Sequence, residues 1–137
     1  MRARSYDCGY GCPIEAALDV IGGRWKGIIL YHLLDRQQRF GELRRLLPKI
    51  TQRMLTLQLR ELERDGLVHR EVYPETPLRV EYSLTSFGSG LRPLLLQLRE
   101  VGVEHMARQR AATETIADAP PGEPTIVSPS SGRAAAR

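Results

Sequence analysis

Two cysteines, Cys8 and Cys12, are the residues whose type and spacing could support covalent chemistry. They lie in the segment DCGYGCP, residues 7–13. Because proline is favoured at the first position of a helix, Cys12 is expected to be the N-cap residue. The helix dipole and free N–H groups there stabilise a thiolate, which reacts with oxidants and electrophiles. The segment therefore offers a reactive thiolate at Cys12 and, in Cys8, a second thiol close to it in the sequence.

Other interpretations of these cysteines stay open. Cys12 could be a structural cap buried at an interface, with Cys8 a spectator, because no Lys or Arg flanks Cys12 and Asp7 opposes a thiolate. An enzyme with a Cys12 nucleophile lacks a His/Asp partner set, a phosphate loop and paired carboxylates. A metal site is disfavoured because the three histidines fall on different predicted elements: His32, His69 and His105. The sequence predicts neither an enzyme nor a bound metal or cofactor.

Length and composition narrow the class of protein. The 137 residues suit one domain with a modest extension. No apolar run approaches the ~18 residues that would span a bilayer, and the N-terminus lacks the apolar core of a secretory signal. Two thiols four residues apart are a poor disulfide framework, so they are expected to be free in a reducing compartment. The cytoplasm is the expected location.

Basic residues concentrate in one segment, residues 36–64. This segment has a net charge of +5, whereas the whole chain has +4, so the remainder is slightly acidic. Its cations are Arg36, Arg39, Arg44, Arg45, Lys49, Arg53, Arg60 and Arg64. A polyanion is the natural partner of such a patch, although a solvated charged face is the alternative.

The stretch ITQRMLTLQLRELERDG, residues 50–66, places these cations on a predicted helix. Its apolar positions recur at helical spacing: Leu55, Leu59 and Leu62. Another side of the same helix carries hydrogen-bond donors: Gln52, Arg53, Thr56 and Arg60. Thr51 is a plausible N-cap, and Gly66 is well placed to end the helix.

The elements around this helix have clear boundaries. Three helices are predicted before it: one over 13–21 ended by Gly22-Gly23, one over 24–34, and a short one from Gly41 to Pro48, with a polar break at 35–39. Two strands follow, over 67–73 and 79–84, joined by an exposed hairpin tip at 74–78. Thr85 is expected to cap a last long helix that Pro93 kinks or restarts.

This order predicts an α+β, mainly helical fold: a winged helix-turn-helix with a two-stranded wing and flanking N- and C-terminal dimerisation helices. In this motif the second helix of the pair enters the major groove. Base edges would then be contacted by Gln52, Arg53 and Thr56. Arg60 would contact a phosphate, and Arg79 would be the cationic anchor of the wing. The predicted DNA-binding set is Arg44, Lys49, Thr51, Gln52, Arg53, Thr56, Arg60 and Arg79.

The chain resembles the HxlR-type winged-helix transcriptional regulators of the wider MarR-like group. The resemblance covers residues 8–108 and is carried by CPIEAALDVIGGRWKGIIL, LRELERDGL, YPETPLRVEYSLT and FGSGLRPLLLQL. It implies a homodimer with paired terminal helices, double-stranded DNA with an inverted repeat, and control of neighbouring genes. Both repressors and activators occur in the family, and a repressor is expected here. Similar regulators include members that sense quinones, aldehydes or oxidants through a cysteine matching Cys12. This resemblance implies a thiol switch in which Cys12 is modified and Cys8 is the resolving thiol, within the subunit or across the dimer. Val101-Gly102 departs from the Trp-Gly that is frequent in the family.

A dimer is also expected because one small domain makes too few phosphate contacts for tight binding. The predicted interface is Ile14, Leu18, Leu91, Leu94, Leu98, Val101 and His105, with burial in one subunit's core as the alternative. The predicted organisation is an N-terminal arm at 1–11, the domain at 12–109, and a disordered Pro/Ala/Ser-rich tail at 110–137. Alternatives are a regulator that responds to a non-covalent ligand and a winged helix that binds protein without DNA affinity.

Overall fold

The computed structural model describes residues 12–118 and residue 122. Helices dominate this part of the chain, and three short strands form one antiparallel sheet. In chain order the elements are α1 (Pro13–Ile21), α2 (Lys26–Leu33), β1 (Gln38–Arg39), α3 (Phe40–Leu46), α4 (Gln52–Arg64), β2 (Val68–Tyr73), β3 (Arg79–Leu84), α5 (Ser86–Ser89) and α6 (Arg92–Asp118). The predicted mainly helical winged helix-turn-helix architecture is confirmed.

The hydrophobic core is built mainly from leucines that recur at helical spacing on α2, α3 and α4. The fully buried side chains are Ile29, Leu30, Leu43, Leu55, Leu59, Leu62, Leu67 and Val68. Each contributes by the removal of apolar surface from water. The core therefore fixes which side of α4 faces inward, and the side opposite to Leu55 and Leu59 faces solvent.

Both ends of α4 form as predicted. At its start the Thr51 hydroxyl accepts a hydrogen bond from the Met54 N–H at 3.1 Å, which satisfies one free donor of the first turn. At its end Gly66 has φ +78°, a conformation that glycine adopts without strain. The chain then reverses, and the Leu67 N–H donates to the Leu62 carbonyl at 2.9 Å. The wing therefore starts directly at the end of α4.

The sheet contains a strand that the sequence did not predict. The two wing strands pair antiparallel, with Val68 opposite Leu84 and Tyr73 opposite Arg79. On the other edge of β3, β1 pairs Gln38 with Tyr82. The predicted polar break at 35–39 therefore contains a short strand in its last two residues. A two-residue strand is too short to show periodicity, and β3 supplies the pairing.

Thr85 caps a different helix from the one predicted. Its hydroxyl accepts from the Gly88 N–H at 3.0 Å and so begins the four-residue α5 rather than the last long helix. The same hydroxyl donates to the Gly66 carbonyl at 2.6 Å, and the Thr85 N–H donates to the Leu67 carbonyl at 3.1 Å. The long helix begins again at α6, with Pro93 in its first turn, as expected for a proline restart.

The chain divides into two compact units, one ending at Val101 and the other beginning at Gly102. This boundary differs from the predicted division after residue 109. Helix α6 continues to Asp118, so residues 110–118 are helical although the predicted tail began at 110. That segment lacks apolar periodicity, and its helix is supported instead by the propensity of residues such as Ala111, Ala112 and Glu114. The N-terminal arm and the rest of the tail, except residue 122, lie outside the described residues.

No helix among the described residues combines the length and the apolar character needed to cross a membrane.

Candidate nucleic-acid interface

Helices α3 and α4 form a helix-turn-helix whose turn is held by apolar contacts. Leu43, Leu47 and Ile50 are buried, and the Ile50 N–H donates to the Leu47 carbonyl at 3.1 Å. The intervening polar residues therefore project outward. Arg44 on α3 and Lys49 in the turn are both exposed, which places two of the predicted cations beside the start of α4.

The solvent side of α4 is a cationic face with one apolar residue in it. We call this set the α4 outer face, and its members recur at i, i+4, i+7 and i+11: Arg53, Leu57, Arg60 and Arg64. All four are exposed, and Leu57 retains 48% of its accessible surface. Arg53 and Arg60 were predicted from the sequence to lie on this side of the helix. Leu57 was not, because the side was defined by its hydrogen-bond donors and leucine has no side-chain donor. The signal was present in the spacing, since Leu57 lies ~200° around the helix from Leu55.

The cations of this surface have no carboxylate partner within the described part of the chain. Arg44, Lys49, Arg53 and Arg60 form no ion pair there, whereas Arg36 pairs with Glu42 at 3.2 Å. Their charges are therefore available to an external anion. The helix-turn-helix thus combines a fixed backbone with uncompensated positive charge.

The hydroxyl groups of the two threonines at the start of α4 form hydrogen bonds with the backbone of the helix itself. Thr51 supplies the N-cap, and the Thr56 hydroxyl donates to the Gln52 carbonyl at 2.9 Å. Thr56 is also only partly exposed. Gln52 and Arg53, by contrast, are exposed at the start of the helix, so the structure brings these two predicted base contacts to the surface and leaves Thr56 nearer the core.

A buried ion pair that the sequence analysis missed connects α2 with α4. Lys26 Nζ lies 2.6 Å from Glu61 Oε2, and the Lys26 side chain is only 5% exposed. A buried lysine normally requires such a partner, because an unpaired charge in the interior is strongly destabilising. The pair therefore fixes α4 against α2. Residue type alone suggests a solvent-exposed lysine, so only its position on the buried side of α2 could have indicated the pair.

The wing residue Arg79 is paired within the hairpin. Its guanidinium lies 3.1 Å from Glu75 and 3.4 Å from Glu81, and it stacks over the Tyr73 ring at 4.0 Å from the centroid. Its charge is therefore largely compensated within the hairpin, and its predicted role as the cationic anchor of the wing stays a prediction. Arg70 on β2, not singled out from the sequence, is exposed and has no ion pair within the described residues.

Cys12 occupies the predicted position before α1. It has extended backbone angles, φ −135° and ψ 121°, and its exposed thiol makes no capping hydrogen bond. Cys8 lies outside the described residues. Among the residues that the structure describes, no three His, Cys, Asp or Glu side chains are grouped so as to hold a metal ion.

The side chains of α1, the helix that follows Cys12, are poorly buried. None of the nine residues of α1 is buried, and Ile14 and Leu18 are 68% and 57% exposed. In the first unit, the α6 residues predicted for the interface are exposed as well: Leu94, Leu98 and Val101. These five apolar side chains therefore leave 41–68% of their surface exposed in the described protomer. His105, in the second unit, is also exposed.

Leu91 differs from the other residues predicted for the interface. It is partly buried and packs against the core, together with Leu95, which is 3% exposed. The Leu95 N–H donates to the Leu91 carbonyl, so the two residues lie one turn apart on the same side. The predicted interface set therefore combines Leu91, on the core-facing side, with exposed residues of α6.

A family model for HxlR-like helix-turn-helix proteins matches residues 20–110. The chain belongs to the HxlR-like helix-turn-helix family. This HxlR-like protein is 62% identical over 98 residues to YdeP, an uncharacterized HTH-type transcriptional regulator of Bacillus subtilis strain 168, across 72% of this chain and 77% of YdeP. The predicted family is thereby confirmed, and the protein is a helix-turn-helix transcriptional regulator.

Solved structures similar to this chain include those of a redox regulator, HypR, and of a transcriptional regulator, YodB. The reduced form of HypR is 58% identical, with a TM-score of 0.69, over 73% of this chain and 99% of HypR. Its oxidised form is 63% identical, with a TM-score of 0.66, over 68% and 96% of the two chains. Diamide-treated YodB from B. subtilis is 38% identical, with a TM-score of 0.58, over 68% and 93%.

Proposed function

We propose that this HxlR-like regulator is a cytoplasmic homodimer that binds double-stranded DNA containing an inverted repeat through α4 and the wing. The observation that carries this proposal is that the cations of the α4 outer face and of the preceding turn form no ion pair within the described residues. Helix-turn-helix proteins place the second helix of the pair in the major groove, where its first residues lie nearest the base edges. A two-fold mate would present the same helix about one DNA turn away.

The DNA-contacting residues fall into two groups. Gln52 and Arg53, exposed at the start of α4, are positioned for base edges, since Gln pairs with adenine and Arg with guanine in a bidentate manner. Arg44, Lys49 and Arg60 surround them and would contact phosphates. Six such phosphate contacts in a dimer imply that log K falls with log salt concentration with a slope of roughly −5.

Salt dependence separates DNA binding from the alternative of a protein-binding winged helix. The protein would first be used to select tight binders from a random duplex library, and affinity for the selected duplex would then be measured between low and physiological salt. A slope near the value above supports phosphate engagement. A flat response would favour the protein-binding alternative.

Replacement of Arg53 distinguishes base contacts from phosphate contacts. Arg53→Ala is expected to weaken binding and to relax preference at one base pair, because a bidentate contact contributes about 1–3 kcal/mol of discrimination. Arg108→Ala is the matched control, since that arginine is already paired with Glu104 at 2.6 Å on α6. Equal weakening on all duplexes would assign Arg53 to the phosphate group.

The dimer is supported by the unburied α1 and by the exposed apolar residues of α6. Association would bury Ile14, Leu18, Leu94, Leu98 and Val101, and apolar burial is the principal driving force of such interfaces. A C2 pair would bring the same surface of both protomers together. Sedimentation of the purified full chain tests this assembly, and a monomer at micromolar concentration would contradict it.

The exposed Cys12 thiol is positioned to control this assembly because it stands directly before α1. Diamide accepts the two electrons and two protons released when Cys12 and a second thiol, for which Cys8 is the candidate, form a disulfide. A quinone instead adds to the thiolate, forming a C–S bond and taking up a proton. Either product would alter the start of α1 and so change the spacing of the two α4 helices. The similarity of this chain to the redox regulator HypR, and to the transcriptional regulator YodB in its diamide-treated form, favours this switch over a purely structural cysteine.

Cys12→Ser tests the switch. The variant is expected to bind the selected duplex with unchanged affinity but to remain bound after diamide or quinone treatment. Cys8→Ser provides the comparison: loss of the diamide response with retention of the quinone response would indicate a disulfide between the two residues. Release of Cys12→Ser at the wild-type dose would reject Cys12 as the sensor.

A further inference from the structure

Leu57 is the one apolar residue of the α4 outer face. It lies opposite the buried Leu55 and Leu59, and 48% of its surface is exposed. Arg53 precedes it by one turn and Arg60 follows it by one turn, about 6 Å and 4.5 Å away along the helix axis. A leucine in the middle of a cationic face cannot bind phosphate. If α4 binds DNA, Leu57 therefore either contacts an apolar group of the DNA or makes no contact with it.

The major groove offers one apolar group at its base edges, the C5-methyl of thymine. If Arg53 and Arg60 engage DNA on either side, Leu57 between them faces the floor of the same groove. Contact with a thymine methyl would remove both apolar surfaces from water. A cytosine, adenine or guanine at that position would leave the leucine against a polar edge.

We propose that Leu57 is a specificity-determining residue that contacts the C5-methyl group of one thymine in each half-site. This inference rests on the proposed DNA-binding function of α4. It assigns a base preference to a residue that makes no hydrogen bond to DNA. The preference is for thymine over every other base and over uracil, which differs from thymine only by the missing methyl group.

Deoxyuridine substitution isolates this contact. Each thymine of the duplex selected by the wild-type protein would be replaced singly by deoxyuridine, which keeps the Watson–Crick pair and every hydrogen-bonding atom. At one position in each half-site we expect Kd to rise about fourfold, which is the effect of exposing one methyl-sized group. The other thymine positions are expected to change less than twofold.

Leu57→Ala completes the test. The variant is expected to bind the thymine duplex about fourfold more weakly and to lose the difference between thymine and uracil at the sensitive position. Leu46→Ala is the matched control, because Leu46 is 44% exposed on α3 and lies outside the α4 outer face. The control is expected to keep the wild-type ratio of the two affinities. Far-UV circular dichroism checks that both variants are folded.

The outcomes separate this inference from the function on which it rests. If the wild-type protein binds the selected duplex but shows no uracil-sensitive position, the methyl contact is refuted and the regulator proposal stands. The same conclusion follows if Leu57→Ala retains the sensitivity, or if Leu46→Ala also abolishes it. If no duplex is selected and no salt-dependent binding is found, the proposed function fails and the inference fails with it.

Discussion

Replacement of Glu61 by Gln is expected to destabilise the protein more than replacement of its partner Lys26 by Met. Glu61→Gln leaves the ammonium of Lys26, whose side chain is 5% exposed, without its carboxylate. Lys26→Met removes the buried charge and keeps an apolar side chain of similar length, while Glu61, 30% exposed, stays hydrated. The two variants therefore remove the same ion pair with different consequences.

The magnitude follows from the geometry. At 2.6 Å the two charges attract by roughly 6 kcal/mol if the effective dielectric constant is about 20. Desolvation of Lys26 offsets part of this, and removal of one partner from a buried pair typically costs ~3–5 kcal/mol. Because Glu61 is partly hydrated, we expect Glu61→Gln to lower the free energy of unfolding by ~3 kcal/mol and Lys26→Met by ~1 kcal/mol or less.

Urea unfolding followed by far-UV circular dichroism measures these free energies, at one fixed protein concentration because a dimer's stability depends on it. The double variant Lys26→Met/Glu61→Gln should be more stable than Glu61→Gln alone, since it contains no unpaired buried charge. The reasoning would be refuted if Glu61→Gln lost less than ~1 kcal/mol or if Lys26→Met were equally destabilised.

The remaining predictions concern local structure and use the same unfolding measurement. Thr51→Ala removes the side-chain acceptor of the Met54 N–H and is expected to cost ~1 kcal/mol, whereas Thr51→Asp should retain most of that stability. Gly88→Ala places a Cβ against the Leu67 carbonyl and is expected to cost about 1–3 kcal/mol. Gly41→Ala is its control, because a Cβ there meets nothing within 4 Å and alanine favours the helix; equal losses in the two glycine variants would contradict the packing argument.

The sequence predicted elements whose residues alternate between core and solvent. Leu55, Leu59 and Leu62 recur because one side of α4 is buried, so both the helix and its exposed side could be located. The Thr51 cap and the Gly66 turn were predictable because each depends on one residue's own stereochemistry. The wing followed from alternation in β3.

Features that depend on distant partners could not be predicted in this way. The burial of Lys26 is explained only by the approach of Glu61 from another helix. The pairing of Arg79 with Glu75 and Glu81 depends on the hairpin geometry. Strand β1 depends on an edge of β3, and two residues carry no pattern of their own. In the candidate site, sequence alone located the exposed Arg53 but could not establish which charges remained uncompensated.

The hydrogen bonds of Thr85 connect three elements of the fold. It bonds to the Gly66 carbonyl at the end of α4 and to the Gly88 N–H in α5, while its own N–H bonds to Leu67 at the base of the wing. A tilt of α5 by itself would break contacts with both neighbours, at about 1 kcal/mol for each hydrogen bond. Because these hydrogen bonds connect α5 to the end of α4 and to the base of the wing, we expect a displacement of α5 to move both of them with it.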